Sequence, residues 1–303
     1  MILINTIPII ISILIAVAFY TLLERKFLSY IQIRKGPNKV SYMGILQPIS
    51  DAIKLFNKNL YSMEITNYII FMISPASSLL ISMIIISILP FNKFSIFDNN
   101  FNILMFLLLS SLSVYSMLMI GWSSNSKYSH LGSIRSIAQM ISYEVSFFLI
   151  ILFLCMLSSS FMFSKMSNSQ SILNFMWGNL LLLYIWLISC LAEVNRSPFD
   201  FAEGESELVS GFNVEFMGGW FALIFLAEYM SMIMLSMITT ILFMKYNMLF
   251  FITMIFLSIL FLWVRATLPR FRYDFLMNLN WKIILPLIIL SFSLSTTLFM
   301  LAN

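Results

Sequence analysis

The sequence predicts an all-α, polytopic integral membrane protein with about eight transmembrane helices and one interfacial amphipathic helix. Three observations carry that reading. Hydrophobic residues make up 60% of the 303 positions and charged residues 10%, with a mean hydropathy of +0.95. Soluble globular chains hold roughly 45–50% apolar and about 25% charged residues. The apolar residues fall in long unbroken runs, so backbone polar groups in the bilayer must be satisfied within helices, and a closed barrel is excluded. Finally, the cations are segregated onto alternate connections.

At about 20 apolar residues per crossing, the predicted spans cover residues 2–26, 66–90, 101–121, 135–157, 172–193, 213–243, 248–266 and 282–301. The sixth is too long for an upright crossing and implies a tilted helix or one that leaves the bilayer. Nothing remains for a soluble domain, so residues 1–303 are expected to form a single transmembrane domain. Residues Met1 to Asn5 lack a positive n-region and no small-residue cleavage site follows, so the first segment is expected to be retained. Between the first two spans, Ile45, Leu46, Ile49, Ala52, Ile53, Phe56 and Leu60 follow helical spacing, with Gln47, Ser50, Asp51, Lys54 and Lys58 opposite. This predicts an amphipathic helix over about 43–58 that either lies on headgroups or roofs a cavity.

Fourteen cations lie on odd-numbered connections: Arg25, Lys26, Arg34, Lys35, Lys39, Lys54, Lys58, Lys127, Arg135, Arg196, Arg265, Arg270, Arg272 and Lys282. Even-numbered connections carry Lys93, Lys165 and Lys245. The positive-inside rule puts the odd loops on the cytoplasm-like or matrix face and both termini on the other. The net charge of +4 follows from this topology and does not point to nucleic acid. The abundance of Phe and Met (30 and 23) beside few Gly and Pro (9 and 8) is expected of an AT-rich gene in a code that reads extra codons as Met, as in mitochondrial genomes. Lipid-facing helices that tolerate Phe, Ile and Met give the same balance.

Chemistry narrows sharply. There is no glycine-rich phosphate loop and no HExxH, His130 is the single histidine, and Cys155 and Cys190 lack CxxC spacing. Nucleotide hydrolysis, hydride transfer and intrinsic metal redox are therefore poorly supported. What remains is acid chemistry in a membrane. Six of the 13 acidic residues fall within 193–215, namely Glu193, Asp200, Glu203, Glu205, Glu207 and Glu215, with Arg196 as the local cation. Glu203 and Glu207 are four apart and would share a helical face, where like charges raise the proton affinity of the group. Pro198, Phe199, Phe201 and the glycines suggest a packed turn in place of a solvated loop. Glu144 lies nine residues beyond Arg135, about 13 Å along a helix, and Glu228 lies midway along the sixth span. Glu24 and Glu193 close the first and fifth spans. Such carboxyls suit a proton relay or a polar water path, or are neutral structural acids. Arg25, Arg34, Arg270 and Arg272 cluster on one face, where they could bind carboxylates, lipid phosphates or a partner subunit.

Three segments are specific: 24–40 (ERKFLSYIQIRKGPNKV), the acidic loop 193–215, and 269–274 (PRFRYD). With 121–128 (GWSSNSKY) and 138–145 (AQMISYEV), they resemble, in order along the whole chain, the chain 1 family of mitochondrial NADH:ubiquinone oxidoreductase, respiratory complex I. The resemblance implies a heel subunit of the membrane arm in the mitochondrial inner membrane, with the acidic loop on the matrix side and both termini on the intermembrane-space side. It implies a chamber for ubiquinone as substrate, lined at its wall or entrance by Glu24, Arg25, Arg34 and Arg272. It also implies an acidic proton path through Glu144, Glu193, Asp200, Glu203, Glu205, Glu207 and Glu228. FMN and iron–sulfur clusters would belong to partner subunits, and the partners would be the other subunits of both arms, together with lipids. The departures from the family pattern are Ser29 for Gly, Val194 for Thr, Phe201 and Ala202 for Leu and Thr, Leu268 for Tyr, and His130 for an apolar residue. A quinone-free subunit of an energy-converting hydrogenase, a self-sufficient cation transporter and a structural anchor are the rival readings.

Overall fold

The computed structural model describes residues 2–59, 66–90, 99–171, 173–202, 204, 208–245 and 250–302. In chain order its helices are α1 (Ile2–Ile31), α2 (Gln47–Phe56), α3 (Tyr68–Ile88), α4 (Asn102–Ser123), α5 (Lys127–Ser158), α6 (Phe163–Ser169), α7 (Phe175–Gly178), α8 (Leu180–Glu193), α9 (Gly218–Phe243), α10 (Phe250–Thr267), α11 (Tyr273–Leu279) and α12 (Leu285–Ala302). No strand occurs among the described residues. Among the described residues, seven helical segments are long and apolar enough to cross a membrane, and α8 is a shorter apolar helix. All-helical polytopic architecture is thus observed, with specific corrections to the predicted spans.

The fifth span, predicted as one helix over 172–193, is broken. Asn179 (φ −135°, ψ 48°) separates α7 from α8, whose 14 residues extend about 21 Å. The sixth begins at Gly218, not 213, because Met217 is extended and Gly218 takes φ +59°. What looked like an overlong span is a short turn at Gly211–Asn213 followed by a 26-residue helix. The fourth starts early: Ser126 caps α5 by accepting from the Ser129 N–H, so the 32-residue helix carries Lys127 and Arg135 on turns that overhang a bilayer core of about 30 Å. The last helix also starts early, at Tyr273. It crosses a π-helical segment, Asn280–Ile284, where the Leu285 N–H bonds the Asn280 carbonyl. The widening accommodates Pro286, which has no N–H to give to the carbonyl four residues back.

The bilayer offers little apolar drive between helices, so close backbone approach and internal polar satisfaction matter. A Cβ on Gly121 would meet Ser133 side-chain atoms at 2.2–2.3 Å, and one on Gly132 would meet the Ala202 carbonyl oxygen and the Phe212 N–H nitrogen at 3.0 Å. These two glycines let α4 approach α5, and α5 approach the loop after α8. Serines along the helices donate to carbonyls three residues back, as Ser82, Ser110 and Ser146 do at 2.8–2.9 Å, so their hydroxyls are not orphaned in hydrocarbon. The main core joins α1, α3, α4, α5, α8, α9 and α10. A second cluster packs Phe212, Phe216 and Ala202 of the loop against Phe71, Ile120 and Ile224, with Phe71 and Phe216 stacked at 4.2 Å. The described part of the acidic loop is therefore a packed turn.

Helix α2 packs on α1 and α9 through a side that includes buried Pro48, while Ile49, Ile53 and Phe56 stay 50–64% exposed. Its apolar stripe looks outward, as an interfacial helix requires, and it also walls an open groove of about 650 Å³ lined by Ala18, Pro48, Ile49, Ala52, Ile53, Phe56 and Asn57. The two readings of this helix are compatible.

Candidate functional site: a buried ion-pair network beside an intramembrane cavity

Three helices and one loop converge on a set of charges that the sequence scatters. Glu228, midway along α9, pairs with Arg196 at 3.0 Å. Arg196 is 5% exposed, and its guanidinium lies 4.7 Å from the centroid of Tyr229 and 5.9 Å from that of Phe225, so ring faces and a carboxylate replace its hydration. Glu24, a buried residue two turns before the end of α1, pairs with Arg265 from the last turn of α10. Tyr20, one turn before Glu24 on α1, and Tyr229 meet edge-on at 5.9 Å. Tyr20 is itself anchored by donating to the Ser258 carbonyl at 2.9 Å.

Beside this network lies a cavity of about 110 Å³, room for several waters. Glu193 and Glu228 both line it, with Asn195 between them in sequence. Asn195 takes φ +54°, turning the chain sharply after α8, and its Oδ1 is buried without a protein hydrogen-bond partner. Six serines from α3, α4 and α9 complete the polar part of the wall: Ser78, Ser82, Ser110, Ser113, Ser116 and Ser231. Each donates to its own helix at 2.6–2.9 Å. What they turn to the cavity is oxygen lone pairs, which accept hydrogen bonds from water. Glu144 is half-buried on α5, which packs against α8, the helix that ends at Glu193.

The loop is held from two sides. The Gln139 amide donates to the carbonyls of Ala192 and Phe199 at 2.8 and 3.0 Å. The connection between α10 and α11 supplies Arg270, which donates to the Asp200 carbonyl and pairs with its carboxylate at 3.3 Å. From that connection the Phe271 N–H also donates to the Pro198 carbonyl at 3.2 Å. Phe199 and Phe271 stack at 5.7 Å, and the Ser197–Pro198 peptide is cis. The acidic loop and the PRFRYD segment, 70 residues apart, are one unit.

Several site residues expected from sequence thus come together: Glu193 and Glu228 on the cavity, Glu144 close by, and Glu24 in the adjoining network. Asp200 sits apart with Arg270. Arg25 is exposed and pairs with Asp51 of α2 at 2.7 Å, beside the groove. Arg34 is exposed, and Arg272 pairs at the surface with Asp274 at 3.1 Å. Glu203, Glu205 and Glu207 lie outside the described residues. Sequence reasoning missed Arg265, Asn195, Gln139 and Tyr229, and it treated Arg196 as a partner for its own loop when its carboxylate is 32 residues on. A cation directly beside a span that holds a lone carboxylate was the available signal. Among the described residues no cluster of three or more His, Cys, Asp or Glu could hold a metal ion.

The fold and site define a polytopic membrane protein with carboxyls around a cavity that has room for several waters. A family model described as NADH dehydrogenase matches residues 4–296, and the chain belongs to that family. It is 50% identical over 288 residues to NADH-ubiquinone oxidoreductase chain 1 of Anopheles gambiae, covering 94% of this chain and 91% of that protein. It is 50% identical over 291 residues to the chain 1 protein of Locusta migratoria, covering 95% and 92%. It is 46% identical over 297 residues to that of Balaenoptera physalus, covering 95% and 93%.

Proposed function

We propose that the chain is the chain 1 membrane subunit of a proton-pumping NADH-ubiquinone oxidoreductase, complex I, in the mitochondrial inner membrane. Within the assembly it forms part of the ubiquinone chamber and an acidic path that links quinone reduction to proton translocation. The observation that carries this reading is the cavity shared by Glu193 and Glu228 beside the Arg196 and Arg265 ion pairs. It offers carboxyls and acceptor-lined space for water inside a bundle otherwise built of hydrocarbon. Near-full-length identity to proteins of that name supports the same assignment.

In this reading the apolar groove between α1 and α2 admits the isoprenoid tail of ubiquinone, and its apolar lining suits a flexible hydrocarbon chain. Arg25 fastens the two helices at that entrance through Asp51, while Glu24, Arg34 and Arg272 stand at or near the chamber. Protons taken up as quinone is reduced are relayed through the loop carboxyls Asp200, Glu203, Glu205 and Glu207 to Glu193, Glu144 and Glu228. Ubiquinone supplies the redox chemistry of the bound substrate, and FMN and iron–sulfur clusters reside in partner subunits of the hydrophilic arm. The acidic loop faces the matrix and both termini face the intermembrane space. The whole chain 1–303 acts as one transmembrane domain in contact with membrane-arm subunits, hydrophilic-arm subunits and lipid.

A native gel of source membranes, stained for NADH oxidation and followed by peptide mass spectrometry, tests the assignment. The chain is expected in a very large NADH-oxidising band whose quinone-linked turnover is blocked by quinone-site inhibitors. Its recovery in a small assembly, or in a hydrogenase without quinone activity, overturns the reading.

A further inference from the structure

We propose that Gln139 is a positioning residue for the acidic path, setting the spacing between Glu144, Glu193 and Asp200. The inference rests on the function proposed above. Gln139 is fully buried on α5, five residues before Glu144. Its Nε2 donates to two carbonyls from different parts of the chain: Ala192, the neighbour of Glu193, at 2.8 Å, and Phe199, the neighbour of Asp200, at 3.0 Å. One carboxamide thereby ties three carboxyl-bearing segments together.

The orientation of that amide is dictated by chemistry. Flipping it would set Oε1 against two carbonyl oxygens, acceptor against acceptor, whereas the NH2 has two protons to give. No other side chain of similar size places two donors on one nitrogen without a charge. Methionine fills the space but gives no hydrogen bond, and glutamate at the same volume turns acceptors toward both carbonyls. The Ala192 carbonyl, one of the last four of α8, accepts from the Asn195 N–H at 3.3 Å just beyond the helix. Gln139 adds a second donor to it from α5, and through Phe199 it fixes the direction in which the chain leaves toward Asp200.

Relays depend on separation. Misplacing a reacting group by about 1 Å can cost about 10²-fold in rate, and two like carboxyls influence each other's ionisation according to their distance. Loosening the Gln139 tie is expected to act on turnover and not on substrate affinity, because the residue is enclosed between α5, α8 and the loop and lines none of the groove beside α2.

The test is Gln139→Met and Gln139→Glu in the assembled complex, beside Glu144→Gln and Glu193→Gln. For Gln139→Met, the expected result is quinone-linked kcat lowered about tenfold per assembled complex. The KM for quinone, and NADH oxidation by a water-soluble artificial acceptor, should be unchanged. Gln139→Glu is expected to fall further. A Gln139→Met complex with wild-type quinone-linked kcat overturns the proposal. If the glutamate variants lower turnover while Gln139→Met does not, only this inference fails; if the glutamate variants leave turnover and pumping intact, the reading beneath it fails. Should the Gln139 variants not assemble, a density map of the wild-type complex decides. A carboxamide bridging the Ala192 and Phe199 carbonyls upholds the tie, and one turned away from them overturns it.

Discussion

Two ion pairs of nearly equal length separate the interior of this protein from its surface. Arg196–Glu228 closes at 3.0 Å with side chains 6% and 15% exposed; Arg272–Asp274 closes at 3.1 Å with side chains 85% and 68% exposed. Distance does not distinguish them; environment does. In water such a pair is worth about 0–1 kcal/mol, because each charge is nearly as well solvated alone. In a buried setting neither charge can stand without the other, and removing one partner costs about 3–5 kcal/mol. The buried pair is thus a constraint on which helices meet, whereas the surface pair is a local neighbourly contact two residues apart.

Breaking the buried pair should give the largest effect. Arg196→Met is expected to cost about 3–5 kcal/mol and to reduce the amount of assembled complex on native gels. Adding Glu228→Gln should restore part of the loss by removing the stranded charge, and a double variant worse than the single would show that the pair is not the unit. Glu24→Gln comes next. Its partner Arg265 is 28% exposed and can turn toward water, so a loss of about 1.5–3 kcal/mol is expected from the weakened charged hydrogen bond, read as a lower melting temperature of the complex. Arg270→Ala should be milder for the whole complex yet local in character. Faster amide exchange at residues 199–201, with exchange in α3 unchanged, is the expected signature. Least of all, Arg272→Ala should shift stability by about 0–1 kcal/mol. This last variant also sharpens the site assignment: impaired quinone kinetics at unchanged stability would keep Arg272 in the chamber, and unaltered kinetics would remove it.

Much of the architecture was legible because its causes are local. Apolar runs of about 20 residues mark spans whatever they pack against, and the alternation along 45–56 marks an amphipathic helix before its neighbours are known. The errors at span edges have local physical causes that hydropathy averages away. Asn179 and the Met217–Gly218 pair interrupt apolar stretches without adding charge, and the Ser126 cap starts a helix among polar residues. The π segment before Pro286 leaves no mark on composition.

The site divides along the same line. That carboxyls lie within apolar helices could be read directly from Glu144, Glu193 and Glu228, and they are candidates because a charge in hydrocarbon is costly wherever it lies. Which cation meets which carboxylate could not be read. Arg196 and Glu228 are 32 residues apart, Arg265 and Glu24 241, and Arg270 and Asp200 70. Sequence by itself determined the class of protein, the number of its apolar segments and the family to which it belongs, because hydrophobicity and motif strings are properties of neighbouring residues. Tertiary structure alone decided the pairings, the cavity and the Gln139 tie. These depend on how each helix is rotated and tilted against the next, which is set by side-chain packing between elements far apart in the chain.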